Sequence, residues 1–131
     1  MSHPSNSIKL AGLEIDFVTL NEAVRLVQDW LQDQQQHYIV TPNPEMAVMA
    51  NQDKQFQDIL NQADLAICDG TGLVCLARAV HLIERIRSKT KPQKILLQRL
   101  TGVDLMSGLI ESAAALGARV FLLGGRQGVG P

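Results

Sequence analysis

The chain has 131 residues and a formal net charge of −1, with 46% hydrophobic and 19% charged residues, the proportions of a folding globular domain and not of a disordered tail. That balance excludes a global basic field for nucleic acid, and no apolar run approaches the roughly 20 residues needed to span a bilayer. With no basic-then-apolar leader at the N-terminus, the expectation is a cytoplasmic protein, a single domain over residues 1–131, in which Cys68 and Cys75 are both buried, reduced thiols.

Residues 8–10 and 13–17 alternate around Gly12 and predict a small hairpin. Thr19 and Glu22 form a capping box, after which Leu20, Ala23, Val24, Val27, Trp30 and Leu31 recur at helical spacing. Residues 38–41 are a short β-rich run stopped by Pro42; Asn43 and Pro44 then supply an N-cap and a proline at the first helical position. One helix carries Met46, Ala47 and Ala50, and a second carries Phe56, Ile59 and Leu60. The apolar run 65–68 ends abruptly at Asp69 and Gly70, and Leu73, Leu76, Ala77 and Val80 resume helical spacing. Residues 84–99 are basic, contain Pro92 and read as a loop or an irregular extension rather than a core element.

Thr101 and Asp104 open another capped helix, which Gly117 stops, and residues 119–123 form a last strand before Gly124, Gly125, Gly128 and Gly130. The repeated order of strand, turn and helix predicts an α/β, Rossmann-like three-layer domain with a mostly parallel sheet. The chain stops in a glycine-rich loop where another helix is due, so the domain reads as truncated at its C-terminus, with an open edge that favours a homo-oligomer.

In parallel α/β sheets ligands gather at the carboxyl ends of strands, which here carry Thr41 with Asn43, Asp69, and the loop from Gly124. Asp69 is either a general base at a cleft edge or a turn aspartate serving the helix that follows. Thr41 and Asn43 suit a sugar's hydroxyls, while Asn43 equally suits an N-cap. Arg99 is either a fork for a diphosphate or one more solvated cation, and the basic stretch 85–94 is either a solvated loop or a contact for anionic headgroups. His3, His37 and His81 have no metal-ligand spacing with one another or with the cysteines, so neither a metal nor another cofactor is expected. Gly124, Gly128 and Gly130 also match the glycine spacing of short-chain NAD(P) dehydrogenases, which makes an oxidoreductase fragment an alternative. Against it, the loop follows the last strand and the chain ends before a ribose-binding acid.

Four motifs in order then carry a resemblance: Thr41-Pro42-Asn43; Ala63-Asp64-Leu65 leading to Asp69-Gly70-Thr71-Gly72; Arg99-Leu100-Thr101-Gly102-Val103-Asp104-Leu105; and Val120-Phe121-Leu122-Leu123-Gly124-Gly125. Together they resemble the WecG/TagA/CpsF glycosyltransferase family, over nearly the whole chain but only about the first half of a family member. The resemblance implies inverting, metal-independent transfer of N-acetylmannosamine or a related sugar. The donor would be a UDP-sugar and the acceptor N-acetylglucosamine on a polyprenyl diphosphate, met peripherally at the inner membrane face. By the same motifs Asp69 is the catalytic base, Thr41, Asn43 and Arg99 bind substrate, and Gly124 and Gly125 offer amides to phosphate. The alternative from another class is a non-catalytic remnant of the same fold.

Overall fold

The computed structural model describes residues 6–33, 35–87 and 99–124. Strands β1 (Ser7–Leu10) and β2 (Leu13–Asp16) form the expected antiparallel hairpin, with Ser7 opposite Asp16 and Leu10 opposite Leu13. Its two turn residues, Ala11 and Gly12, both have positive φ, 48° and 82°, as a turn matching the twist of its strands requires. Asn61 clamps this turn from outside: its Nδ2 donates to the Gly12 carbonyl at 3.0 Å and its Oδ1 accepts from the Glu14 amide at 3.0 Å.

Helix α1 (Leu20–Asp33) starts at the predicted capping box, where the Glu22 carboxylate accepts from the Thr19 amide at 2.7 Å. Strand β3 (Ile39–Val40) leads to α2 (Pro44–Gln52), and α3 (Lys54–Asn61) follows after Asp53, which closes one helix and caps the next. Strand β4 (Leu65–Ala66) pairs parallel with β3, and Asp16 forms a single parallel bridge to Ile67. Helices α4 (Thr71–Arg87) and α5 (Gly102–Leu116) complete the described chain, α5 ending on Gly117 at φ 66°.

Alternate residues of a strand face opposite ways, and the core divides accordingly. Val40 and Cys68 join the hairpin's Ile8, Leu10, Leu13, Ile15 and Phe17 and apolar residues of α2, α3 and α4. Ile39, Leu65 and Ile67 join Val18, Leu100 and the apolar stripes of α1 and α5. Asp16 is buried among these layers, and its Oδ2 accepts from the Ala66 amide at 2.8 Å.

Three expectations are corrected. Residues 84–87 are the last turn of α4 and not a loop, because Leu82, Ile83 and Ile86 continue the helical period that the basic residues disguise; residues 88–98, with the rest of the basic stretch, lie outside the described residues. Residues 119–123 are not paired in a sheet, and Phe121 and Leu123 are 86% and 92% exposed, since an apolar run becomes a strand only when another strand takes its hydrogen bonds. The described strands thus amount to an antiparallel hairpin and a two-residue parallel pair, mixed α/β, with five helices. Cys68 is buried as expected, but Cys75 is exposed, on the side of α4 away from Leu73, Val74 and Ala77.

His37 ties α1 to the start of β4. Its ring stacks on Trp30 with centroids 4.5 Å apart, its Nε2 lies 2.9 Å from Asp33 Oδ2, and its Nδ1 lies 3.1 Å from Asp64 Oδ1. The Nδ1 approach is a close ion-pair contact and not a well-angled hydrogen bond. Asp64 also accepts from the Tyr38 amide at 3.1 Å. The carboxylate of Asp64, then that of Asp33, outweigh desolvation and raise the His37 pKa. In Asp64, desolvation pushes the other way, but His37 and the Tyr38 amide outweigh it and lower the pKa; in Asp33 the Gln35 amide and then His37 lower it. The stabilisation from His37 is therefore complete below the usual histidine value near 6.5 and is lost as pH rises through the raised value. That from the carboxylates is present above their usual range and is lost as pH falls through their lowered values. Urea midpoints should fall between pH 6 and pH 8.5 in the parent chain and much less in His37→Gln; equal slopes in both would show that the cluster contributes nothing.

Candidate active site

The parallel pairing of β3 and β4 continues past the strands themselves. The Ile67 amide donates to the Val40 carbonyl at 3.0 Å, and the Asp69 amide donates to the Pro42 carbonyl at 3.1 Å. Two strand ends are thereby held abreast, with Thr41 and Asn43 on one and Asp69 on the other. Pro42 is buried and Pro44 fills the first turn of α2, so the corner has few backbone alternatives.

Asp69 does not serve the helix that follows it. Gly70 accepts the amide of Val74 at the start of α4, whereas the Asp69 carboxylate reaches across to α5, where Oδ2 accepts from the Gly102 amide at 3.3 Å. Thr41 packs on the same spot: a Cβ added to Gly102 would lie 3.3 Å from Thr41 Cγ2 and 3.4 Å from Asp69 Oδ2. A side chain at Gly102 would be tight against both strand ends, and Thr41 and Asp69 would have to give by a few tenths of an ångström to admit it. The start of α5 is held by Thr101, whose Oγ1 accepts from the Asp104 amide at 3.1 Å and donates to the Asp104 carboxylate at 2.6 Å.

Asn43 is the N-cap of α2, its Oδ1 accepting from the Met46 amide at 2.8 Å. That bond leaves its Nδ2 as the remaining donor. Arg99 is exposed, but its neighbour Leu100 is buried in the core that α1 and α5 share, which fixes the backbone from which Arg99 extends. Burial, and then the negative charge of Asp69, push the Cys68 thiol up to about 11, with Arg99 opposing the rise. Cys68, Asp69 and Arg99 therefore share one electrostatic neighbourhood, and Cys68 is no nucleophile in it.

Gly124 is not brought to this cluster. It has a φ of 108° and nothing within 4 Å of where a Cβ would stand, and Gly125 lies outside the described residues. The dinucleotide alternative loses its footing here, because the segment before Gly124 is not part of a sheet and so builds no strand-to-loop phosphate turn. Beside Thr41 and Gly102 runs a groove of about 470 Å³ lined largely by apolar side chains of α1 and α5, with residues 118–122 at its margin.

Two residues of this corner carry little sequence signal. Gly102 belongs to a motif but reads there as an ordinary first helical residue, and its role follows only from the approach of Thr41 and Asp69. Asp16 alternates with Leu13, Ile15 and Phe17 and shares the strand face of Glu14, so its burial follows only from the contact with β4.

The profile of the glycosyl transferase WecG/TagA/CpsF family matches residues 8–130, and the chain belongs to that family. An N-acetylglucosaminyldiphosphoundecaprenol N-acetyl-beta-D-mannosaminyltransferase from Staphylococcus aureus (strain MRSA252) is 29% identical over 130 residues, 96% of this chain and 46% of the relative. The protein of the same name from Staphylococcus aureus (strain NCTC 8325 / PS 47) is 29% identical over 124 residues, 92% of this chain and 44% of the relative. The chain thus spans less than half the length of these curated relatives.

Gly70 joins Asp69 to α4 with a φ of 130°, and a Cβ there would also press on Pro44 Cδ at 3.4 Å. Gly70→Ala should cost about 1–3 kcal/mol of stability, the usual range for a side chain forced into such backbone. Urea titration measures it, and an unchanged midpoint would show that the corner relaxes freely.

Proposed function

We propose that this member of the WecG/TagA/CpsF family transfers N-acetylmannosamine or a related sugar from a UDP carrier to N-acetylglucosamine on a polyprenyl diphosphate, with Asp69 as general base. The names of the relatives support the transferred sugar and the lipid-diphosphate acceptor. The observation that carries the assignment of the base is the seat of its carboxylate, which is half-buried at a strand end and aimed by the Gly102 amide at 3.3 Å, with Thr41 against the same glycine. One carboxylate oxygen is held by that amide, so the other is oriented toward the acceptor.

In this reading the acceptor hydroxyl loses its proton to Asp69 as its oxygen bonds to the anomeric carbon. The bond from that carbon to the UDP oxygen breaks on the opposite face, inverting the centre. UDP departs with the bonding electrons, and Arg99 meets the charge that grows on the diphosphate. Thr41 and the free Nδ2 of Asn43 orient sugar hydroxyls. A UDP-sugar donor places the reaction in the cytoplasm, beside the membrane that holds the acceptor.

We infer a Rossmann-like three-layer domain, with the parallel pair of β3 and β4 at its centre, the core of α1 and α5 on one face and that of α2, α3 and α4 on the other.

Transfer is tested with labelled UDP-N-acetylmannosamine and a short-chain lipid diphosphate acceptor, in a fusion of this chain to the second half of the Staphylococcus aureus relative. Asp69→Asn should lower turnover about 100-fold or more and leave the melting curve nearly unchanged. Turnover near that of the parent would remove Asp69 from the mechanism, and a parent fusion that folds without transfer would favour a non-catalytic module of the same fold.

A further inference from the structure

Helix α4 begins two residues after Asp69 and outruns the core. Leu73, Val74 and Ala77 are buried and Val80 packs against the core, but every residue from Leu82 to Arg87 is exposed. Leu82, Ile83 and Ile86, three large apolar side chains, are 55%, 52% and 76% exposed, which a solvated helix tip does not call for. At about 100° per residue, Ala79, Leu82, Ile83 and Ile86 form one stripe on the side of the helix away from Leu73, Val74 and Ala77. Arg78 and Arg85 flank this stripe on one side and Arg87 on the other, while Glu84 lies across the helix from it. The stripe is about 10 Å long at 1.5 Å per residue.

We propose that this face of α4 docks on an anionic phospholipid bilayer. An apolar stripe bordered by arginines is the pattern of a helix lying in a membrane interface, with the aliphatic residues among the upper acyl chains and the guanidinium groups reaching up to the headgroups. Charge decides between possible occupants. A second copy meeting the same stripe would bring two sets of arginines together, whereas a layer of anionic headgroups meets all three with opposite charge. Among the described residues no helix is long and apolar enough to cross a membrane, so the contact is made from the surface. The buried half of α4 is fixed in the core, so docking would hold the Asp69 corner on the order of 16 Å from the centre of the stripe along the helix axis. The inference rests on the surface of α4 alone and is independent of the transferase reading.

The test is co-sedimentation of the 131-residue chain with vesicles of phosphatidylcholine, with and without 30% phosphatidylglycerol; the vesicles contain no lipid-linked sugar, so the result does not bear on transfer. The chain should bind the anionic vesicles and release from them at high salt. Arg85→Gln with Arg87→Gln should lower partitioning roughly 30-fold, about fivefold for each charge removed, and the corresponding pair of lysine substitutions should retain it. Leu82→Ser with Ile86→Ser should lower it about tenfold or more through lost apolar contact, and circular dichroism should show all variants folded, since these side chains are exposed. Equal binding to neutral vesicles, unchanged binding by either the glutamine or the serine pair, or concentration-dependent self-association that the serine pair abolishes without any vesicle binding would each overturn the proposal.

Discussion

The parallel register of β3 against β4, carried one step beyond the strands by the bond from the Asp69 amide to the Pro42 carbonyl, is the constraint on which the rest of the corner depends. A parallel pair of two residues has little stability of its own. What holds it is the division of its side chains between two cores, with Val40 and Cys68 on one side and Ile39, Leu65 and Ile67 on the other. A slip of one residue would turn each of these to the wrong face. The same slip would separate Thr41 from Asp69 by a further residue. The chemistry of the corner is thus locked by apolar packing on both sides of it, and not by the polar residues themselves.

Asp16 shows the complementary use of a polar group inside that packing. The hairpin joins β4 through a single bridge to Ile67, too little to align two strands, and the Asp16 carboxylate supplies a further link by accepting the Ala66 amide at 2.8 Å. An apolar residue there would leave that amide without this acceptor, at a typical cost of about 1–3 kcal/mol for a buried donor. Burying a carboxylate is also costly, which explains why it stands at the junction of two small sheets and not within a longer ladder, where the backbone would provide the acceptor.

Local signals in the sequence were readable where the structure is itself local. The hairpin around Gly12, the capping boxes at Thr19 and Thr101, the Asn43 cap with Pro44, and the stop at Gly117 all depend on neighbours within four residues. The features that depend on distant partners were not. Arginines at positions 85 and 87 masked a helical period that the exposed Ile83 and Ile86 preserve. Residues 119–123 have strand composition but no partner strand among the described residues, and composition alone cannot supply one. The site divides in the same way: Thr41, Asn43 and Asp69 stand out as polar groups at strand ends, but that Asp69 serves α5 and not α4 follows from a contact across 33 positions. The contact of His37 with Asp64 likewise joins parts of the chain that no spacing rule connects.

The start of α5 also bears on how a diphosphate would be met. A helix N-terminus is ordinarily a place for an anion, because its first amides are unpaired and its dipole is positive there. Here the chain's own groups have taken that place. The Gly102 amide is bonded to Asp69, the Asp104 amide to Thr101, and the carboxylate of Asp104 stands within the first turn. Two carboxylates at one helix end satisfy the dipole and add negative charge close to where a leaving diphosphate would pass. A diphosphate would gain little from those amides and would be repelled by their occupants. The burden in the proposed reaction then falls on a cation, and Arg99 is anchored through Leu100 at the entrance to the same helix, close enough to act on the titration of Cys68. In the proposed reaction α5 would orient the base through Gly102 and Arg99 would receive the leaving group, so the two roles would fall to one motif.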